Sequence, residues 1–235
     1  MPRLSLVRRK ERAQICFDLL CAHYPDVKPS LNFTNAWELL VGGVLGAQTT
    51  DVQVNKITAV MFADMPEIED YAQASIEEIE SYIKTAGLYH NKAKSLKGAA
   101  EKIMQVYAGA VPQTIEELIT LPGVGRKVAN LVVSDYFGKP GMVVDTHNSR
   151  ISYLLGLTES QNPTVIERDL CAALPAEHWS KWGHLMVTLG RDWCKAKCRA
   201  CAGCPLKDNC AYALKKSVRG TIGEAESRGE VRQCL

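Results

Sequence analysis

Three groups of residues in this 235-residue chain have types and spacings that could do chemistry. The first is Lys127 with Asp145, eighteen residues further on. An amine can attack an electrophilic carbon, and a carboxylate can stabilise positive charge at that carbon. Together they suit cleavage of an N-glycosidic bond: the departing base leaves an oxocarbenium-like sugar, and the amine captures its C1′ as a Schiff base. Read singly, each has a simpler role. Lys127 is a cation for a phosphate, and Asp145 is an N-cap for a helix opening at Thr146.

The second group is the turn before Lys127, Pro122-Gly123-Val124-Gly125-Arg126. Glycines on both sides of one apolar residue let the backbone turn sharply and leave amide N–H groups bare. A helix beginning at Arg126 adds its positive end, so Gly123, Gly125 and Arg126 form an anion site suited to a DNA phosphate. Val124 anchors the loop in the core. The alternative is a plain helix corner with a glycine turn.

The third group is cysteine-rich, CKAKCRACAGCPLKDNC over 194–210. Cys194, Cys201, Cys204 and Cys210 form C-x6-C-x2-C-x5-C, dense enough for one zinc ion or a [4Fe–4S] cube. Zinc usually takes two close pairs separated by a longer finger, so the spacing favours the cube. A rival register, Cys198, Cys201 and Cys204, resembles the start of a ferredoxin motif and points to a redox carrier. Lys195, Lys197 and Arg199 nearby suit phosphate contact instead. Cys16, Cys21 and Cys171 sit in apolar helical patterns and read as core.

The elements that position these residues read as helices throughout. Apolar periodicity and caps place them near 6–22, 35–46, 51–64, 75–85, 91–107, 114–120, 125–137, 146–155, 163–174, 178–190 and 207–216. Thr50, Ser75 and Thr114 are expected N-caps, Pro163 opens a helix, and Gly87, Gly109, Gly138 and Gly156 are expected stops. No run alternates with period two, so the predicted class is all-α. The last stretch, 217–235, has few apolar residues and is expected to be a disordered tail.

Composition is that of an ordinary globular chain, 46% hydrophobic and 23% charged, with a net charge of only +2. Charge is nevertheless uneven along the chain. Residues 64–80 hold seven acidic side chains and no basic one, whereas 190–219 hold eight basic and two acidic. One basic face for a polyanion is the functional reading, and solvated helix faces are the plain one. No run is long and apolar enough for a membrane span or a secretory signal, so nine cysteines argue for metal or reactive thiols in a reducing cytoplasm.

Together LPGVGRKVAN, VVDTH and C-x6-C-x2-C-x5-C resemble the endonuclease III family of DNA glycosylases and abasic-site lyases. GAQTTDVQVNK (46–56) and YIKTAGLYHNKAKSL (82–96) agree with it. The resemblance spans about residues 5–215 and implies two α-helical domains with a DNA-binding cleft between them. One is a helical barrel, 30–138, ending in the helix-hairpin-helix. The other, 1–29 with 139–216, is discontinuous and holds a [4Fe–4S] cluster on Cys194, Cys201, Cys204 and Cys210.

By the same resemblance Lys127 is the Schiff-base lysine and Asp145 the catalytic aspartate. Gln48 fills the gap left by a flipped nucleotide, and Leu88 is a wedge pushed into the base stack. The implied partner is double-stranded DNA with damaged bases or abasic sites, met by a monomer at the nucleoid. The implied substrates are oxidised pyrimidines; a mismatched or deaminated base is the alternative. Asn148 and Ser149, beside Asp145, depart from the family pattern, so the lesion preference is the part of the resemblance that carries over least directly.

Overall fold

The computed structural model describes residues 4–218, with side chains to 215. The expected tail beyond 218, and Cys234 within it, lie outside the described residues. The ordered elements are α1 (Leu6–His23), α2 (Ala36–Leu45), α3 (Asp51–Asp64), α4 (Ile68–Gln73), α5 (Ile76–Ile83) and α6 (Tyr89–Val106). They continue with α7 (Ile115–Leu118), α8 (Arg126–Asp135), α9 (Thr146–Leu155), α10 (Pro163–Ala173), α11 (Trp179–Asp192) and α12 (Ala211–Val218). Among the described residues the only β pairing is an isolated bridge between Cys194 and Arg199. The class is all-α, as the sequence predicts.

The helices start where side-chain oxygens can satisfy first-turn amides. Thr50, Ser75 and Thr114 accept from the N–H groups of Gln53, Glu78 and Glu117, each cap contributing about 1 kcal/mol. Much of the acidic run is accounted for in the same way. Glu69, Asp70, Glu77 and Glu78 occupy the first turns of α4 and α5, where the helix dipole favours negative charge.

The chain divides into two compact units, Pro29–Gly141 and the segments before and after it. In the first, α2–α8 enclose a core of Trp37, Leu40, Leu45, Met61, Tyr71, Ile79, Leu96, Ile103, Leu118 and Val132. Helices α4 and α5 pack on α6, and α2 packs on α8. In the second, α1 and α9–α12 enclose Ala13, Cys16, Phe17, Leu20, Ile151, Leu170, Trp182 and Met186. Cys21 and Cys171 are half-buried against this core, and burial pushes the Cys16 thiol up to about 12.

Several local expectations are corrected. Leu6 opens α1 but is 43% exposed, so the buried stripe begins at Ala13. Gly87 does not stop α5, which ends at Ile83. The helix expected over 207–216 is broken: a 3₁₀ turn spans Lys207–Asn209, Cys210 is extended, and α12 starts at Ala211. Ser217 and Val218, assigned to the tail, lie in α12.

Candidate active site

In the Pro29–Gly141 unit, the chain leaves α7 and turns through Pro122–Gly125 into α8. Gly123 has φ +75°, and a β-carbon there would collide with Ser95 of α6, so both conformation and space call for glycine. Val124 is buried in the core as expected. Gly125 is the N-cap of α8 and supplies no capping side chain. The first turn of α8 holds no acidic residue, unlike those of α3, α5 and α7. It instead presents Arg126 and Lys127, both exposed. A first turn that carries basic side chains and no acidic one favours an anion from outside. The Lys127 side chain has no hydrogen bond or ion pair among the described residues.

Two more loops of this unit meet. Gln48, between α2 and α3, and Leu88, the N-cap of α6, are both exposed and both left-handed, with φ +55° and +62°. A non-glycine residue there is strained by roughly 1–2 kcal/mol. Leu88 is 54% exposed, so core packing does not explain it. A β-carbon on Gly87 would stand 3.2 Å from the carbonyl oxygen of Gln48, which shows how closely the loops touch. Gln53 Nε2 also donates to Thr85 Oγ1 at 2.9 Å.

A residue the sequence analysis did not single out lies beneath them. Lys92 of α6 is buried, and its Nζ donates to Leu45 O (2.8 Å), Ala47 O (2.6 Å) and Thr49 Oγ1 (3.0 Å). Its burial lowers the ammonium group's hold on its proton. The available signal was a lysine in register with Leu96 and Ala99 on the apolar face of a helix.

In the other unit, Asp145 caps α9: its Oδ1 accepts from the Asn148 N–H at 2.7 Å, and its Oδ2 has no partner among the described residues. Asn148 is fully buried. Its Nδ2 donates to Val143 O (2.7 Å), and its Oδ1 accepts from Ser152 Oγ (2.9 Å) and Trp182 Nε1 (3.1 Å). The departure from the family pattern is thus a satisfied polar network holding the backbone on both sides of Asp145.

Arg150 of the same helix donates from Nη2 to Cys194 O at 2.6 Å, tying α9 to the cysteine loop. Cys194, Cys201, Cys204 and Cys210 are half-buried and outside any disulfide, unlike Cys198. Burial pushes the Cys204 thiol up to about 11, with Cys210, Cys194 and Cys201 adding to the rise. Cys194 is likewise raised by burial. Among the described residues no three Cys, His, Asp or Glu side chains converge on a single-ion site. Lys195 and Lys197 are exposed, and Arg199 lies over the Tyr212 ring, 5.3 Å from its centroid.

The chain resembles known proteins over most of its length. The profile of the HhH-GPD superfamily, base excision DNA repair proteins, matches residues 41–176. The chain belongs to that superfamily. Within it, the chain is 38% identical over 213 residues to Endonuclease III of Bacillus subtilis, covering 90% of this chain and 97% of that one. Identity to Endonuclease III of a Synechocystis strain is 40% over 210 residues, covering 89% and 96%. A solved structure of a trapped endonuclease III–DNA covalent intermediate superposes with a TM-score of 0.84 at 39% identity, covering 88% of this chain and 98% of that one. A thermostable thymine-DNA glycosylase shares the fold, with TM-score 0.78 at 21% identity. Among the described residues no helix is long and apolar enough to cross a membrane.

Proposed function

We propose that this HhH-GPD chain is a bifunctional DNA glycosylase and abasic-site lyase that removes oxidised pyrimidines from duplex DNA. The observation that carries the reading is Lys127: an exposed amine with no partner among the described residues, in the first turn of an uncapped helix behind a glycine turn. Gly123, Gly125 and Arg126 hold a backbone phosphate at that turn. Leu88 enters the stack as the lesion leaves, and Gln48 fills the vacated position. Oxidised pyrimidines stack poorly, which lowers the cost of extrusion.

Asp145 keeps Oδ1 on the Asn148 amide and turns Oδ2 to the sugar, where negative charge offsets the oxocarbenium character of the transition state. The neutral Lys127 amine bonds to C1′ as the C1′–N bond to the base breaks, and the departing base takes up a proton. Loss of water from the resulting adduct of an abasic sugar, or ring opening of the aminal after base release, gives the imine. Removal of a C2′ proton then expels the 3′ phosphate and cuts the strand.

Cys194, Cys201, Cys204 and Cys210 fit an iron–sulfur cluster by donor chemistry. They are half-buried, and burial together with the other three raises the proton affinity of Cys204, a cost that ligation as a thiolate removes. A [4Fe–4S] cube, whose thiolates sit on four separate iron atoms, does not require them to converge on one point. Cys194, Cys201, Cys204 and Cys210 would hold it, and it would supply a fixed frame for the loop bearing Lys195 and Lys197. Those lysines contact the DNA backbone. The protein acts as a monomer, in the cytoplasm, at the nucleoid.

Borohydride treatment of the protein with a duplex carrying one thymine glycol tests the reading. A covalent protein–DNA adduct is expected. Base release without any adduct would make the protein a glycosylase without lyase chemistry.

A further inference from the structure

We infer that Lys92 is a positioning residue that locks the Gln48 loop and the Leu88 loop into one unit, so that wedge and plug enter the duplex together. The inference rests on the function proposed above and concerns a residue with no role assigned in it. Lys92 is only 5% exposed, a rare place for a lysine, and among the described residues no carboxylate pairs with it. Its charge is met by three oxygens, one for each ammonium hydrogen. Leu45 is the last residue of α2, and its carbonyl is one of the unpaired acceptors at that helix end. The ammonium group therefore caps the negative end of α2 and grips the next four residues from inside α6.

The geometry links the grip to the two strained residues. Ala47 and Thr49, whose oxygens Lys92 holds, flank Gln48 in the chain. Held on both sides, Gln48 keeps its left-handed backbone and its outward side chain. Lys92 is also in the first turn of α6, and its own N–H donates to Leu88 O at 3.1 Å. One residue thus bonds to the wedge by its backbone and to the plug's neighbours by its side chain. Gly87 against Gln48 and Gln53 against Thr85 close the same junction on its outer side. A wedge alone opens a gap that the base can refill; a plug arriving with it closes that return. A lysine clamp beneath both loops raises the yield of extrusion without touching DNA.

The test uses two duplexes differing at one position, thymine glycol in one and an abasic site in the other. Lys92→Met keeps side-chain length and removes the three hydrogen bonds. Single-turnover excision from the glycol duplex is expected to fall about tenfold or more. Borohydride trapping on the abasic duplex, which has no base to extrude, should stay within about twofold of the parent. Adding Leu88→Ala to Lys92→Met should cost much less than it costs alone, because both act on one step. Thr49→Val removes a single acceptor and should show the same asymmetry at smaller amplitude, which keeps the test open if Lys92→Met does not fold. Equal losses on the two duplexes, or a lower melting temperature with unchanged excision, would overturn the positioning role. Failure of the parent to trap on the abasic duplex would instead overturn the lyase reading, and this inference with it.

Discussion

Gln48 and Leu88, forty residues apart in sequence, are both left-handed non-glycine residues, and their loops touch where Gly87 meets the Gln48 carbonyl. Two strained positions at one exposed junction mark a place where conformation serves something other than stability. Replacing either by glycine should relieve the strain. Gln48→Gly and Leu88→Gly are each expected to raise stability by roughly 0.5–1 kcal/mol in chemical denaturation while excision from a damaged duplex falls. Variants that lost stability and kept full activity would show that these residues serve the fold alone.

Asp145→Asn separates the two roles of the aspartate. Asparagine caps a helix about as well, so α9 should keep its melting behaviour. Excision should drop on the order of 10²–10³-fold, because a neutral amide does not stabilise a developing sugar cation. Near-parental excision would leave Asp145 as a cap and nothing more.

Asn148→Leu tests the buried network beside it. The substitution leaves Trp182 Nε1, Ser152 Oγ and Val143 O without their partner in the buried core. A loss of about 3 kcal/mol of stability is expected in denaturant titration. Adding Ser152→Ala should return part of it, since one of the stranded groups is then gone. Loss of only a few tenths of a kcal/mol in the single variant would mean that the network contributes little.

Most of the helices were legible because their caps and apolar stripes are local: Thr50, Ser75 and Thr114 cap where their side chains predict. What stayed hidden was non-local or short. Helix α4 has six residues and lies inside an acidic run, too short for a period to register. The start of α6 at Tyr89 follows a left-handed Leu88, not a capping side chain, so no sequence signal marks it. Gly87 resembled a helix stop because glycine often is one; here it makes room for a neighbouring loop. The role of Asn148 beside Asp145 could not be read locally, because its partner Trp182 is 34 residues away. Lys92 was hidden for the same reason, its acceptors lying more than forty residues upstream.

Cysteine substitutions distinguish the two registers of the cysteine loop. Purified protein should be yellow-brown, with about four iron and four sulfide per chain. Cys198→Ser should keep the colour and Cys194→Ser should lose it, read by visible absorbance and iron content. The opposite pattern would assign the ferredoxin-like register.

The central claim is that the Lys127 amine is the nucleophile, and mapping the borohydride adduct tests it most directly. Parent protein trapped on a thymine glycol duplex, digested and sequenced by mass spectrometry, should carry the sugar remnant on Lys127. The Lys127→Gln variant should form no adduct and cut no strand, while binding the duplex with affinity within a few-fold of the parent. An adduct on another amine, or undiminished strand scission by Lys127→Gln, would contradict the account.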